Sequence, residues 1–319
     1  MKIGLIDVDN KENIANCYPN LALMKISSYY KNIGWDVEWC DPNKHYDAVF
    51  MSKVFSFSKD VEMDINADLI ITGGSGYCIK LENGLEVFDS SKHYNLPDDI
   101  EHIYPDYSLY NIFDTAYGFM SRGCPRGCSF CYVQKKESAY SIKCADLNEF
   151  WSGQPYIELM DPNTLACKDW EDILTQLINS NSYVDFNQGL DIRLLTDDKL
   201  ELLKRIKIRN LHFAYDRYAD KSIIESRLES FKRNTNYNRS IVTVYVLVNY
   251  DTSIEEDLDR IMFIRSLNFQ PYVMRYNKKF IKRGDPLNAL ARWVNNKQIF
   301  WSCDNFYKYL EESKRGLWH

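Results

Sequence analysis

Apolar residues along this chain recur with two periods, and the two alternate. Residues 2–8 form a short apolar run of strand type, and residues 20–33 place Leu21, Met24 and Ser28 at helical spacing before Gly34 stops the pattern. Residues 35–39, 48–54 and 69–72 are further short apolar runs, the last followed by Gly73-Gly74-Ser75-Gly76. Strands alternating with helices predict a parallel, doubly wound sheet.

A proline-bearing connection over residues 96–107 leads to a second series. Strands are expected at 117–121, 156–160, 184–187, 211–214, 242–248 and 271–276, with amphipathic helices such as 170–178, 197–206, 222–233 and 254–266 between them. Six strand–helix periods predict a partial (β/α)6 barrel of the TIM type, open on one side, with its chemistry at the C-terminal ends of the strands. From Pro286 the pattern turns helical, with Ala289, Leu290, Trp293 and Val294 on one face. The expected fold class is α/β: a small doubly wound domain over 1–105, the partial barrel over 106–285 and a helical C-terminal extension over 286–319.

The 319 residues, 45% of them hydrophobic, suffice for a sizeable core. A net charge of −6 argues against a surface that grips duplex nucleic acid mainly through charge. The first residues turn acidic at Asp7 instead of running on as an apolar secretory core, and no stretch is apolar over a bilayer's width. The expectation is a cytoplasmic protein with no membrane partner. In that compartment the nine cysteines stay reduced, and clustered ones mean metal more often than disulfide.

Three cysteines do stand together. Cys124, Cys128 and Cys131 lie in Gly-Cys-Pro-Arg-Gly-Cys-Ser-Phe-Cys, directly after the first expected barrel strand. The C-x3-C-x2-C spacing puts three thiols on one tight loop. A structural zinc site takes four ligands, and the bacterial ferredoxin run is spaced differently. Three cysteines suit a [4Fe–4S] cube with one iron left open; the alternative is three thiols close together by chance.

This run, with Gly-Cys-Pro at the first cysteine and an aromatic before the third, resembles the radical S-adenosylmethionine superfamily. The resemblance implies that Cys124, Cys128 and Cys131 bind a [4Fe–4S] cluster whose open iron chelates S-adenosylmethionine. It implies reductive cleavage to a 5′-deoxyadenosyl radical, which takes hydrogen from a substrate. Phe130 is in the position that packs near the adenine. Asp161 and Asn163 stand where the family often has a Gly-Gly-Glu that contacts the ammonium. Gln188, Asp191 and Arg193 follow the third strand, where ribose hydroxyls and a carboxylate need partners, and Tyr215 follows the fourth. On the residues alone, an Asp-Pro-Asn turn capping a helix and an internal Asp191–Arg193 ion pair are the alternatives. Asn249 and Tyr250 depart from the glycine-rich adenine contact of many members. A reductant protein such as flavodoxin or ferredoxin is an implied partner. The substrate, whether nucleic acid, peptide or small molecule, is not legible.

The N-terminal segment resembles the cobalamin-binding-like domain of one branch of that superfamily. It lacks Asp-x-His-x-x-Gly; His45 and His93 have other contexts. Either cobalamin binds without a histidine ligand, or the site is degenerate and the domain serves the substrate, which is the preferred reading. Methylthiotransferases resemble this architecture and hold a second cluster on three N-terminal cysteines. Of Cys17, Cys40 and Cys78, Cys78 follows a glycine-rich strand end and fits that pattern, but the run 48–54 ends Ser52-Lys53-Val54 instead of in a cysteine, and Cys40 belongs to the strand before it. Those three, with Cys144, Cys167 and Cys303, are read as buried or incidental thiols. Methylthiotransferase-like or cobalamin-dependent methyl transfer to RNA or peptide is the alternative reaction. An iron–sulfur electron carrier or redox sensor is the alternative class, disfavoured because carriers fill all four ligands. Lys278, Lys279, Lys282 and Arg283 form the densest basic cluster, read as a solvated loop before a phosphate site.

Overall fold

A computed structural model of the protein describes residues 1–10, 18–82 and 85–315. The chain forms two compact units, 1–158 and 159–319. The composition-based boundary at 105 thus falls inside the first unit, and the division at 158/159 falls inside a strand.

The first unit holds a four-stranded sheet of β1 (Lys2–Asp7), β2 (Asp36–Trp39), β3 (Ala48–Ser52) and β4 (Ile70–Gly73), in the order β2-β1-β3-β4. All three pairings are parallel. The helix Leu21–Asn32 makes the first crossover. Asn20 starts it, its side-chain oxygen accepting from the Leu23 N–H at 3.2 Å. Leu23 and Ile26 then pack with Ile3, Leu5 and Ala48 on one face of the sheet. The opposite face is covered differently. Residues 53–69 cross from β3 to β4 without a regular helix, and Val61, Met63 and Ile65 lie over Ile6, Val8, Tyr46 and Val49. A parallel crossover needs length, not helicity, provided its apolar residues reach the sheet. The alternation expected from the sequence therefore breaks at this step.

Two antiparallel ribbons were not expected. β5 (Ile79–Glu82) pairs with β6 (Leu85–Phe88), and β8 (Ser121–Arg122) pairs with β9 (Ile142–Lys143). The second ribbon closes a loop that follows β7 (Thr115–Gly118). β7 ends three residues before the expected strand does, and Ser121 belongs to β8 instead.

The larger sheet is parallel and six-stranded. It contains β7, β10 (Tyr156–Leu159), β11 (Tyr183–Leu190), β12 (Lys207–Ala214), β13 (Val242–Val248) and β14 (Gln270–Arg275), in sequence order across the sheet. Within the second unit the helices Trp170–Ser180, Asp197–Leu203, Lys221–Asn234 and Ile254–Ser266 alternate with these strands, close to their expected bounds. Val242, Val244, Val246 and Val248 are fully buried, the pattern of a strand whose one face lies under helices. The C-terminal segment is three helices, Pro286–Asn295, Lys297–Ser302 and Phe306–Lys314, packed about a fully buried Trp293. No helix among the described residues is long and apolar enough to cross a membrane.

Candidate functional site

The cysteine run is a closed loop in the first unit. Its base is the β8–β9 ribbon, and the Cys124 N–H donates to the Ser138 carbonyl at 3.1 Å. Gly123 sits at φ +89°, and a Cβ there would lie 2.1 Å from the Tyr140 carbonyl oxygen, so only glycine lets the two sides approach. Glu137 locks the same corner: it accepts from the Gly123 N–H at 2.8 Å and pairs with Arg122. Arg122 also reaches Glu101, which holds Lys25 at 2.9 Å. Further along, the Cys131 N–H donates to the Cys128 carbonyl at 2.9 Å, folding the C-x2-C into a turn. Cys124 and Cys128 are half-buried and Cys131 is exposed. Phe130 is half-buried beside them in sequence, and Tyr132 stacks on Phe88 with ring centroids 5.8 Å apart.

Residues 122–136 contain Arg122, Arg126, Lys135 and Lys136 and no carboxylate. Among the described residues no three His, Cys, Asp or Glu side chains form a group that could hold a metal ion. Thiolates around one ion lie within two metal–sulfur bonds, about 4.6 Å, of one another. On separate irons of a cube, the cube itself holds them further apart. The three soft donors, their spacing and the cationic loop fit such a cluster by the chemistry of the donor set.

The other cysteines behave as packed thiols. Cys78 is buried, its Sγ directed at the Lys92 carbonyl at 3.2 Å, and burial pushes its pKa up. Burial also raises Cys40. Cys303 donates to the Asn305 carbonyl and Cys144 to that of Phe119. Cys167 is buried as well. Cys17 lies outside the described residues.

At the C-terminal ends of the four-stranded sheet, side chains bond one another. The Tyr110 hydroxyl donates to Asp7 at 2.6 Å, and the Asn20 amide donates to Ser52 at 2.8 Å. Asp9 accepts from the Val54 and Phe55 N–H groups. Gly74 sits at φ +96°, and a Cβ there would meet the Lys53 carbonyl at 2.3 Å, so this glycine serves backbone packing. Among the described residues no histidine joins this network, and those residues do not fit a histidine-ligated cobalamin.

The second unit carries the remaining predicted contacts. Asp161 and Asn163 are both 3% exposed. Asp161 accepts from the Thr164 hydroxyl at 3.3 Å, and Asn163 stands at the N-cap of the short turn Thr164–Ala166 without a side-chain capping bond. Gln188 is exposed, in the stretch of β11 where the register with β12 shifts. Asp191 caps the turn Ile192–Leu194 and accepts from both Nε and Nη2 of Arg193, at 2.7 and 3.2 Å. Arg193 Nη1 reaches Asp220 at 2.5 Å. The internal ion pair is therefore formed, and this guanidinium is shared between two carboxylates.

Tyr215 is fully buried, its hydroxyl on Glu225 at 3.2 Å and its carbonyl accepting from Arg260 at 2.6 Å. Leu211, Phe213 and Tyr215 fall on the buried side of β12 and its continuation. Its neighbour Asp216 has the opposite parity. Burial pushes the Asp216 carboxyl up to about 6, against the pull of Arg260 and Arg193 and a hydrogen bond to the Leu247 backbone. The period-2 pattern Leu-x-Phe-x-Tyr could have identified Asp216 as the polar strand end. Arg260 gave no such signal: a fully buried arginine in the middle of the helix Ile254–Ser266, it donates to the Tyr215 and Leu247 carbonyls and to Asp257. The basic cluster at 278–283 lies on an exposed loop after β14.

No protein-family model matches this chain, and no curated protein matches it.

Proposed function

We propose that this protein is a radical S-adenosylmethionine enzyme, cytoplasmic, built on a partial (β/α)6 barrel behind a cobalamin-binding-like domain that serves the substrate. The observation that carries this reading is the C-x3-C-x2-C triplet on one closed, cationic loop between β8 and β9. Cys124, Cys128 and Cys131 would hold the cluster. When bound, the cluster supplies the electron that cleaves S-adenosylmethionine to methionine and a 5′-deoxyadenosyl radical. A protein electron donor of the flavodoxin or ferredoxin kind is the implied partner.

The chain's own residues have narrower tasks. Arg122, Glu137 and Glu101 fix the base of the loop that carries the three cysteines. Arg126, Lys135 and Lys136 offset the negative charge that three thiolates bring together. The resemblance assigns Phe130 to the adenine and Asp161 and Asn163 to the ammonium. Asp191 holds Arg193 in place, leaving Gln188 as the freer contact at that strand end. No step is assigned to cobalamin.

Anaerobic reconstitution tests the reading. The protein is expected to take up four irons and four sulfides per chain, and C124A, C128A and C131A to take up little. With dithionite and S-adenosylmethionine the wild type should release 5′-deoxyadenosine well above the C124A level. Full iron loading without that nucleoside would instead identify an electron carrier.

A further inference from the structure

One face of the larger sheet is aliphatic and buried; the other, within the second unit, carries polar and aromatic side chains in a row. His212 of β12 stacks on Tyr245 of β13, ring centroids 5.1 Å apart and planes 2° from parallel. Tyr245 meets Tyr272 of β14 edge to face at 5.9 Å. Tyr272 and Met274 are 44% and 46% exposed, whereas the alternate residue Val273 is 3% exposed. Two large side chains facing solvent side by side on the edge strand β14 extend this row into an exposed apolar patch.

Behind this row lies a buried carboxylate. Asp185 of β11 is 5% exposed. One oxygen accepts from the Asn210 amide at 2.5 Å, and the other faces His212 Nδ1 at 3.4 Å. His212 Nδ1 also lies 3.2 Å from the Phe186 carbonyl oxygen. A carbonyl oxygen can only accept, so the proton of the neutral imidazole resides on Nδ1. The lone pair is then on Nε2, to which no hydrogen bond forms among the described residues. An imidazole whose Nδ1 proton is held by a carbonyl oxygen, with a carboxylate facing it at 3.4 Å, leaves Nε2 as the basic atom of a general base.

We propose that the Asp185–His212 pair is an acid–base centre for a planar ring bearing a weakly acidic N–H or O–H, seated against Tyr245, Tyr272 and Met274. As the ring's N–H or O–H bond breaks, the proton goes to Nε2 and the electron pair stays on the ring. The resulting imidazolium is held through Nδ1–H by the Phe186 carbonyl and faces the Asp185 carboxylate, whose negative charge offsets its positive one. The aromatic row supplies the ring's faces, since stacking tolerates any planar π-system, and Nε2 supplies the selection for an acidic proton. The inference does not rest on the cysteine loop and needs no iron for its test.

Uridine and p-cresol are the probes, with 3-methyluridine and 4-methylanisole as counterparts that lack the acidic proton. On the full chain labelled with 15N-histidine, the signal lost in H212Q identifies His212. It is expected to carry its proton on Nδ1 at pH 8. At least one probe should shift both His212 Nε2 and the Tyr272 ring, and its methylated counterpart should bind at least tenfold more weakly. Y272A, at an exposed position, should weaken the same probe at least tenfold. Response to uridine points to a nucleobase and response to p-cresol to a phenol; either supports the assignment. A proton on Nε2, no shift with any probe, or equal binding of the methylated compounds overturns it.

Discussion

Asp216 shows how position in a strand decides the state of a side chain. Its carboxyl is raised to about 6 mainly by burial. A raised folded-state value means the folded protein holds the proton more tightly than the unfolded chain. The associated stability is present below about pH 4 and is lost as pH rises through 6. D216N removes that dependence. The variant is expected to be more stable than wild type at pH 8, by on the order of 2 kcal/mol, and to lose the advantage at pH 4. Urea unfolding at the two pH values measures this; equal wild-type and D216N slopes across that range would place Asp216 in solvent. Asp191 and Arg193 illustrate the complementary case. Their i, i+2 spacing in a turn lets the aspartate cap the backbone and hold the guanidinium at once, an arrangement a sequence allows but does not choose.

At the scale of elements, two devices hold strand ends in register. Arg260 ties the ends of β12 and β13 to its own helix through carbonyl oxygens and Asp257. Removing it takes the guanidinium from two carbonyls and leaves the buried Asp257 carboxylate without its cation, with Thr252 as a remaining donor. R260M should cost about 4 kcal/mol, read as a lowered urea midpoint. R260K should restore only part of that, because a single ammonium does not span the same acceptors. An unchanged midpoint in R260M would mean solvent reaches these groups. The other device is the ribbon under the cysteine loop. G123A forces a Cβ against the Tyr140 carbonyl at a positive φ, so it should reopen the loop locally. Its expected signature is iron uptake cut severalfold with an unfolding midpoint within about 2 kcal/mol of wild type. Normal loading in G123A would show that the loop's closure is not required for metal.

For the molecule as a whole, the edge strand β4 carries the largest liability. Ile70 and Ile71 are 44% and 39% exposed, next to Leu69, with the stacked pair Phe55 and Phe57 also exposed. Unpaired strand edges with apolar side chains invite association. I70K is expected to reduce concentration-dependent association in sedimentation experiments without shifting the unfolding midpoint, and identical profiles would assign the patch no such role.

Periodicity alone located the strands of both parallel sheets and the longer helices, because a side chain's burial repeats every two or 3.6 residues whatever lies above it. The helix Ile254–Ser266 has its expected bounds, and its Ser253 cap is a local bond to the backbone. The three-cysteine spacing was equally local, and so was legible. What the chain order left open was decided by contacts between segments far apart in sequence. The crossover 53–69 dispenses with a helix because its apolar residues reach the sheet directly. Tyr215 falls on the aliphatic side of the strand's continuation and Asp216 on the other, because side chains alternate along it. Asp185 and His212, 27 positions apart in the chain, meet only because β11 and β12 lie side by side. Local spacing fixes what a residue can do; the sheet decides which residues do it together, since only pairing brings groups from separate strands within bonding distance.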